Sequence, residues 1–125
     1  MIDKIRAGKM HKTLDDDYYT NRIHVDDCAA VLSHLIVKDA SGESLQKIYL
    51  GVDCVPVTHA DLIDWLADEM GEVLSQDLDD VPGSRQVGSK RCSNKRLLES
   101  GYSFIYPGYQ EGFRSILELE DNVPD

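Results

Sequence analysis

Cysteine is scarce in this chain and none of it is paired by spacing. Cys28, Cys54 and Cys92 stand far apart with no Cys-x-x-Cys pair, which argues against a disulfide-stapled secreted scaffold and fits a reducing cytoplasm. Positive charge is also short: 13 Lys and Arg face 23 Asp and Glu, for a net charge of −10. Phosphate recognition rests on Lys and Arg, so that balance excludes a general nucleic-acid surface and docking on anionic membranes. There is no apolar run of about 18 residues that could span a bilayer, and no basic start followed by an apolar stretch. What remains reads as one soluble, cytoplasmic domain over residues 1–125. Leu, Ile, Val and Phe supply 33 of the 125 residues, above the roughly 20% typical of disorder, so a modest core can form.

The stretch that organises the chain is Thr20-Asn21-Arg22-Ile23-His24-Val25-Asp26-Asp27-Cys28 and the helix that follows. Ile23 and Val25 alternate with polar neighbours, whereas Cys28, Val31, Leu32, Leu35 and Ile36 recur at steps of three and four. The period thus changes from two to 3.6 at the aspartates, which predicts a short strand running into a helix. Asp26 or Asp27 is expected as the N-cap, its carboxylate accepting from the first-turn amides, and Cys28 as a small core residue.

Residues 1–9 read as the last turns of a helix, with Ile2 and Ile5 on one face and Gly8 as the stop. Its missing beginning suggests a chain cut inside a longer protein. Asp15, Asp16 and Asp17 lack the alternation and turn glycine of a calcium loop and read as a solvated loop. Residues 47–52 are rich in β-preferring side chains and predict a strand. Thr58 then caps a helix carrying Leu62, Ile63, Trp65, Leu66, Ala67 and Met70 until Gly71 ends it. Residues 72–88, acidic in their first half and containing Pro82 and Gly83, read as an irregular loop with one short strand. Ser93 is expected to cap a two-turn helix stopped by Gly101, residues 102–106 alternate as a strand, and a last helix from about Tyr109 places Phe113, Ile116 and Leu117 on one face.

Three segments carry a family resemblance: Arg22-Ile23-His24-Val25-Asp26-Asp27 with its small-residue helix, the turn Asp53-Cys54-Val55-Pro56-Val57-Thr58, and the closing Lys90-Arg91-Cys92-Ser93-Asn94-Lys95-Arg96-Leu97-Leu98 with Tyr106-Pro107-Gly108-Tyr109. The chain resembles the C-terminal portion of the extended short-chain dehydrogenase/reductases, the NAD-dependent epimerases and dehydratases. The resemblance implies an α/β fold: the C-terminal segment of a Rossmann-type enzyme, a few short strands with about four helices. It implies a substrate-binding part, acting on a sugar nucleotide or similar small molecule, whose parent uses NAD or NADP.

This chain holds neither half of that chemistry. None of the nine glycines forms Gly-x-Gly-x-x-Gly, the turn that lets backbone approach a dinucleotide pyrophosphate. Residues 83–90 end Gly-Ser-Lys rather than Gly-Lys-Ser and follow no strand. No tyrosine has a lysine four residues on, so the family's acid/base pair is missing as well. No cofactor and no catalysis are expected from the chain alone, and its expected partners are a small-molecule substrate and the nucleotide-binding half it lacks, with self-association in that half's absence.

Candidate substrate contacts are Asn21, Arg22 and His24 beside the strand-to-helix junction, and Arg85 and Arg91 in an acid-free run over residues 81–98. In the resembled family an Arg near the junction meets the substrate diphosphate. Aligning Ile23-His24-Val25 puts Thr20 at that position and Arg22 two residues later on the same strand face. The competing role for these residues is structural, with Arg22 paired to an Asp, His24 bonded in the core and Lys95 and Arg96 solvated. His24 and Cys28 alone make no zinc site. A free-standing α/β binding module without catalysis is the rival from another class.

Overall fold

The computed structural model describes residues 1–10, 18–74 and 88–122. The expected α/β class holds: five helices and one two-stranded sheet among these residues. They fall into two compact units, Met1–Thr20 with Val57–Lys90, and Asn21–Pro56 with Arg91–Asp125.

The first unit contains α1 (Ile2–Arg6), β1 (Tyr19–Thr20), β2 (Val57–Thr58) and α3 (His59–Met70). The two strands pair antiparallel, Tyr19 opposite Thr58 and Thr20 opposite Val57. Thr58 ends β2 and begins α3: its Oγ1 accepts the Asp61 amide at 3.2 Å, and Gly71 closes the helix at φ +68, a left-handed conformation that glycine adopts without Cβ strain. Leu62, Ile63, Leu66 and Ala67 are buried along α3, and Ile5 is buried on α1. These four positions form the i, i+1, i+4, i+5 stripe that an amphipathic helix turns inward.

The second unit contains α2 (Val25–Ala40), α4 (Lys95–Glu99) and α5 (Tyr109–Asp121). Its core is Val31, Leu97 and Tyr102, with Ile23, Ala30, Leu35, Tyr49 and Phe104 packed around them. Tyr102 and Phe104 meet edge to face, ring centroids 5.0 Å apart, the arrangement that sets a positive ring edge on a negative face.

Several expectations are corrected in this unit. Residues 21–25 form no strand; the strand is β1, just upstream. Residues 47–52 and 102–106 form none either. Ile48 and Leu50 are exposed while Tyr49 between them joins the core, so the β-preferring side chains alternate without a ladder to hold them. The apolar set foreseen for α2 is divided: Val31 is buried, but Cys28, Leu32 and Ile36 face solvent. Val25, Ile36 and Val37 are 72%, 68% and 64% exposed, leaving one side of α2 apolar and open. Helix α4 starts one residue later than foreseen, with Asn94 as N-cap; the Ser93 hydroxyl accepts the Lys95 amide at 3.3 Å. Lys95 pairs with Glu99 one turn on, at 3.7 Å, the solvated ion pair of an exposed helix face. Among the described residues no helix is long and apolar enough to cross a membrane.

Candidate functional site

The N-terminus of α2 is capped by neither aspartate. His24 holds the extended N-cap conformation, φ −66 and ψ 144, and its Nδ1 accepts the Asp26 amide at 3.0 Å. An imidazole nitrogen meets the physical need of a cap, an acceptor aimed at a first-turn N–H. Asp26 is exposed, whereas Asp27 is fully buried, at 0% exposure.

Asp27 works at long range. Its Oδ1 accepts the Tyr102 hydroxyl at 2.6 Å and the Ile105 amide at 2.8 Å, and its Oδ2 accepts the Tyr106 amide at 2.9 Å. Three donors converging on one buried carboxylate replace the water it gave up. The Tyr102 phenol is pushed well above its ordinary value, by burial first and then by donating to a carboxylate that repels its anion. The two amide bonds fix the backbone just before Pro107, and so place the Tyr106 ring against His24, centroids 4.2 Å apart. The Ser115 hydroxyl of α5 donates to the Tyr106 hydroxyl at 3.0 Å.

Beside this stack lies a cavity of about 170 Å³. Arg22, His24 and Asp53 are its ionisable and polar wall; Ile23, Tyr106, Tyr109, Phe113 and Ile116 are its apolar wall, with Gly108 and Gly112 between. The Asp53 amide donates to the Arg22 carbonyl at 2.7 Å, and Asp53 Oδ1 accepts the Val55 amide at 3.0 Å. Burial depresses the Arg22 pKa, an effect that the negative charge of Asp53 opposes. Burial also raises the Asp53 carboxyl, against the Val55 hydrogen bond and Arg22, with Glu111 and Asp27 adding to the rise. The two charges therefore compensate each other in a poorly solvated place.

Of the residues proposed from sequence, the structure brings Arg22 and His24 together on the cavity. Asn21 is elsewhere engaged: its Oδ1 accepts the Cys92 amide at 2.9 Å. Arg91 is exposed and does not line the cavity. Arg85 lies outside the described residues, as do Asp15, Asp16, Asp17, Pro82 and Gly83. Sequence reasoning missed Asp53, Tyr106, Tyr109, Phe113 and Ile116 as lining residues. The Asp53 turn and the Tyr106-Pro107-Gly108-Tyr109 segment stood out as motifs, and that was the one signal available for them.

The cavity is smaller than the roughly 300–1,000 Å³ of drug-sized ligand sites, and His24 and Thr58 each occupy one first-turn amide of α2 and α3. Among the described residues no three His, Cys, Asp or Glu side chains gather as metal ligands.

No protein-family profile matches the chain, nor does any curated protein. A solved structure from Methylobacillus flagellatus, described as a "putative NAD-dependent epimerase/dehydratase", is similar at 32% identity and a TM-score of 0.76 over 97% of this chain. The match spans 42% of that protein's chain. The resemblance carried by the sequence motifs is thus present in the structure too, and it is to part of an epimerase/dehydratase-like protein, consistent with a C-terminal portion.

Proposed function

We propose that this chain is a single partial domain, the substrate-binding portion of an NAD- or NADP-dependent epimerase/dehydratase-like oxidoreductase, with Arg22 and His24 on its substrate side. The observation that carries this is the cavity, which gathers both residues with aromatic walls in a chain that matches 42% of such a protein. The substrate is a sugar nucleotide or a similar small molecule. The dinucleotide belongs to the remainder of the parent enzyme, because the chain has neither Gly-x-Gly-x-x-Gly nor Tyr-x-x-x-Lys. Arg85 and Arg91 are kept as candidate contacts for an anionic substrate. The open apolar side of α2, with Val25, Ile36 and Val37, is where the nucleotide-binding portion packs; in its absence this face drives self-association.

The test is to titrate the chain with UDP-glucose, and separately to incubate it with UDP-glucose and NAD or NADP while following nicotinamide absorbance. Saturable UDP-glucose binding without cofactor reduction is expected. Reduction by the chain alone overturns the assignment as a non-catalytic portion, and failure of UDP-glucose to bind overturns the sugar-nucleotide assignment.

A further inference from the structure

The exposed side of α2 carries an order that helix formation alone does not require. Val25, Leu32 and Ile36 are 72%, 59% and 68% exposed, and Ala29 among them is exposed as well. Their spacing is four, three, four. At about 100° per residue these four side chains fall within roughly 60° of arc, the narrow a/d seam of a heptad pattern. The seam carries no charge until its next position, Asp39, closes it. Val37 is exposed too, at 64%, but it stands about 100° round the helix from Ile36.

The spacing reads the same in both directions, and that decides what covers the seam. A second α2 laid antiparallel sets Val25 against Ile36 and Ala29 against Leu32, so a small residue meets a large one and the two rows interdigitate. Asp39 then falls beyond the first helical residue of the second copy, Val25, at the positive end of that helix's dipole. Asp26, beside the seam, meets Ser33. A parallel copy would instead oppose Ala29 to Ala29, leaving a void, and Asp39 to Asp39. Like charges are thus kept apart at the contact, although each copy carries a net charge of −10. A stable interface buries about 800 Å² on each side through roughly 20–30 residues; one seam on a 16-residue helix offers less, so the pair is weak and reversible.

We propose that, in the chain as it stands, the open side of α2 is covered by α2 of a second copy, antiparallel about a two-fold axis at the level of Ala30 and Val31. The inference deepens the reading of this side as a face built to be covered, and rests on it.

The test is sedimentation equilibrium in about 0.1 M and about 1 M NaCl, between which the screening length falls from roughly 10 to 3 Å. A monomer–dimer equilibrium that tightens with salt is expected, because the seam is uncharged while the two bodies repel. At the higher salt Leu32→Glu should weaken the dimer by about tenfold or more, the worth of about 1.4 kcal/mol, and Val37→Glu should leave it within about twofold. Val25→Glu and Ile36→Lys should each weaken it. Combined in one chain they face each other across the antiparallel pair and meet their like across a parallel one, so the double variant should associate more tightly than either single variant. A monomer at every concentration, association that Leu32→Glu leaves intact or Val37→Glu abolishes, or a double variant no tighter than its parents overturns the proposal. If circular dichroism shows Leu32→Glu unfolded, Ala29→Glu, also at an exposed position, takes its place. The seam residues do not line the cavity, so the UDP-glucose titration reports separately. Dimerisation without UDP-glucose binding sinks the substrate assignment and spares this inference; UDP-glucose binding by a chain that stays monomeric does the reverse.

Discussion

Replacing Asp27 by Ala removes the acceptor of three hydrogen bonds at once. Hydrogen bonds to a charged partner are worth about 1.5–3 kcal/mol each, which sets a ceiling of roughly 4.5–9 kcal/mol. The real cost is smaller, because the carboxylate no longer has to be desolvated and because Ile105 is exposed and Tyr106 half-buried, so water reaches their amides. Tyr102, 8% exposed, has no such relief. The Tyr102 hydroxyl bond to a charged partner is worth about 1.5–3 kcal/mol, and that is the expected loss, a sizeable part of the roughly 5–15 kcal/mol of a whole domain. Asp26→Ala should cost about 0.3–1 kcal/mol, since an exposed acid in the first turn contributes only through the helix dipole. The assay is urea unfolding followed by circular dichroism, comparing midpoints at equal slope. If the two alanine variants fall within about 0.5 kcal/mol of each other, Asp27 is not the keystone the geometry describes.

Two further outcomes follow from the cavity wall. Asp53 has a folded-state pKa raised above its ordinary 3.8, so the folded protein binds more protons than the unfolded chain between those two values; the group's stabilising contribution is present below 3.8 and is lost as pH rises through the folded pKa. Asp53→Asn keeps an oxygen for the Val55 amide, so the wild-type-minus-variant stability in urea should fall with rising pH over the acid range, and a difference that rises instead contradicts the assignment. Gly112→Ala places a methyl at ordinary contact distance, 3.6 Å from His24 and 3.9 Å from Tyr106, inside α5; the variant should be more stable by up to about 1 kcal/mol from helix propensity, measured as a higher melting temperature.

How much of this was legible in the sequence depends on the reach of each signal. Helix α3 could be read from end to end because Thr58, its apolar stripe and Gly71 act within a few residues of one another. The Asp26-Asp27 pair could not. Either acid suits an N-cap locally, while the donors that hold Asp27 lie 75 to 79 residues away. The β-rich segments misled for a related reason: side-chain preference describes a pleated surface only when a neighbouring ladder exists, and residues 47–52 have none. At the cavity, Arg22 and His24 stood out because they are adjacent to the period change. Asp53 and the α5 residues join them only through tertiary packing, which spacing does not reveal.

The distance between Asp27 and its donors also sets an order of events on the ribosome. At about 5–20 residues per second, the 75 to 79 intervening residues take roughly 4–16 s to appear. Helix α2, by contrast, has its His24 cap two residues from the amide it serves, and helix formation takes microseconds or less. The nascent helix can therefore start and stop fraying on its own cap many times over while its buried acid is still hydrated. Completion of the second unit waits for Tyr102, Ile105 and Tyr106 to emerge, which makes the last fifth of the chain the segment whose premature loss leaves a carboxylate stranded in an unfinished core.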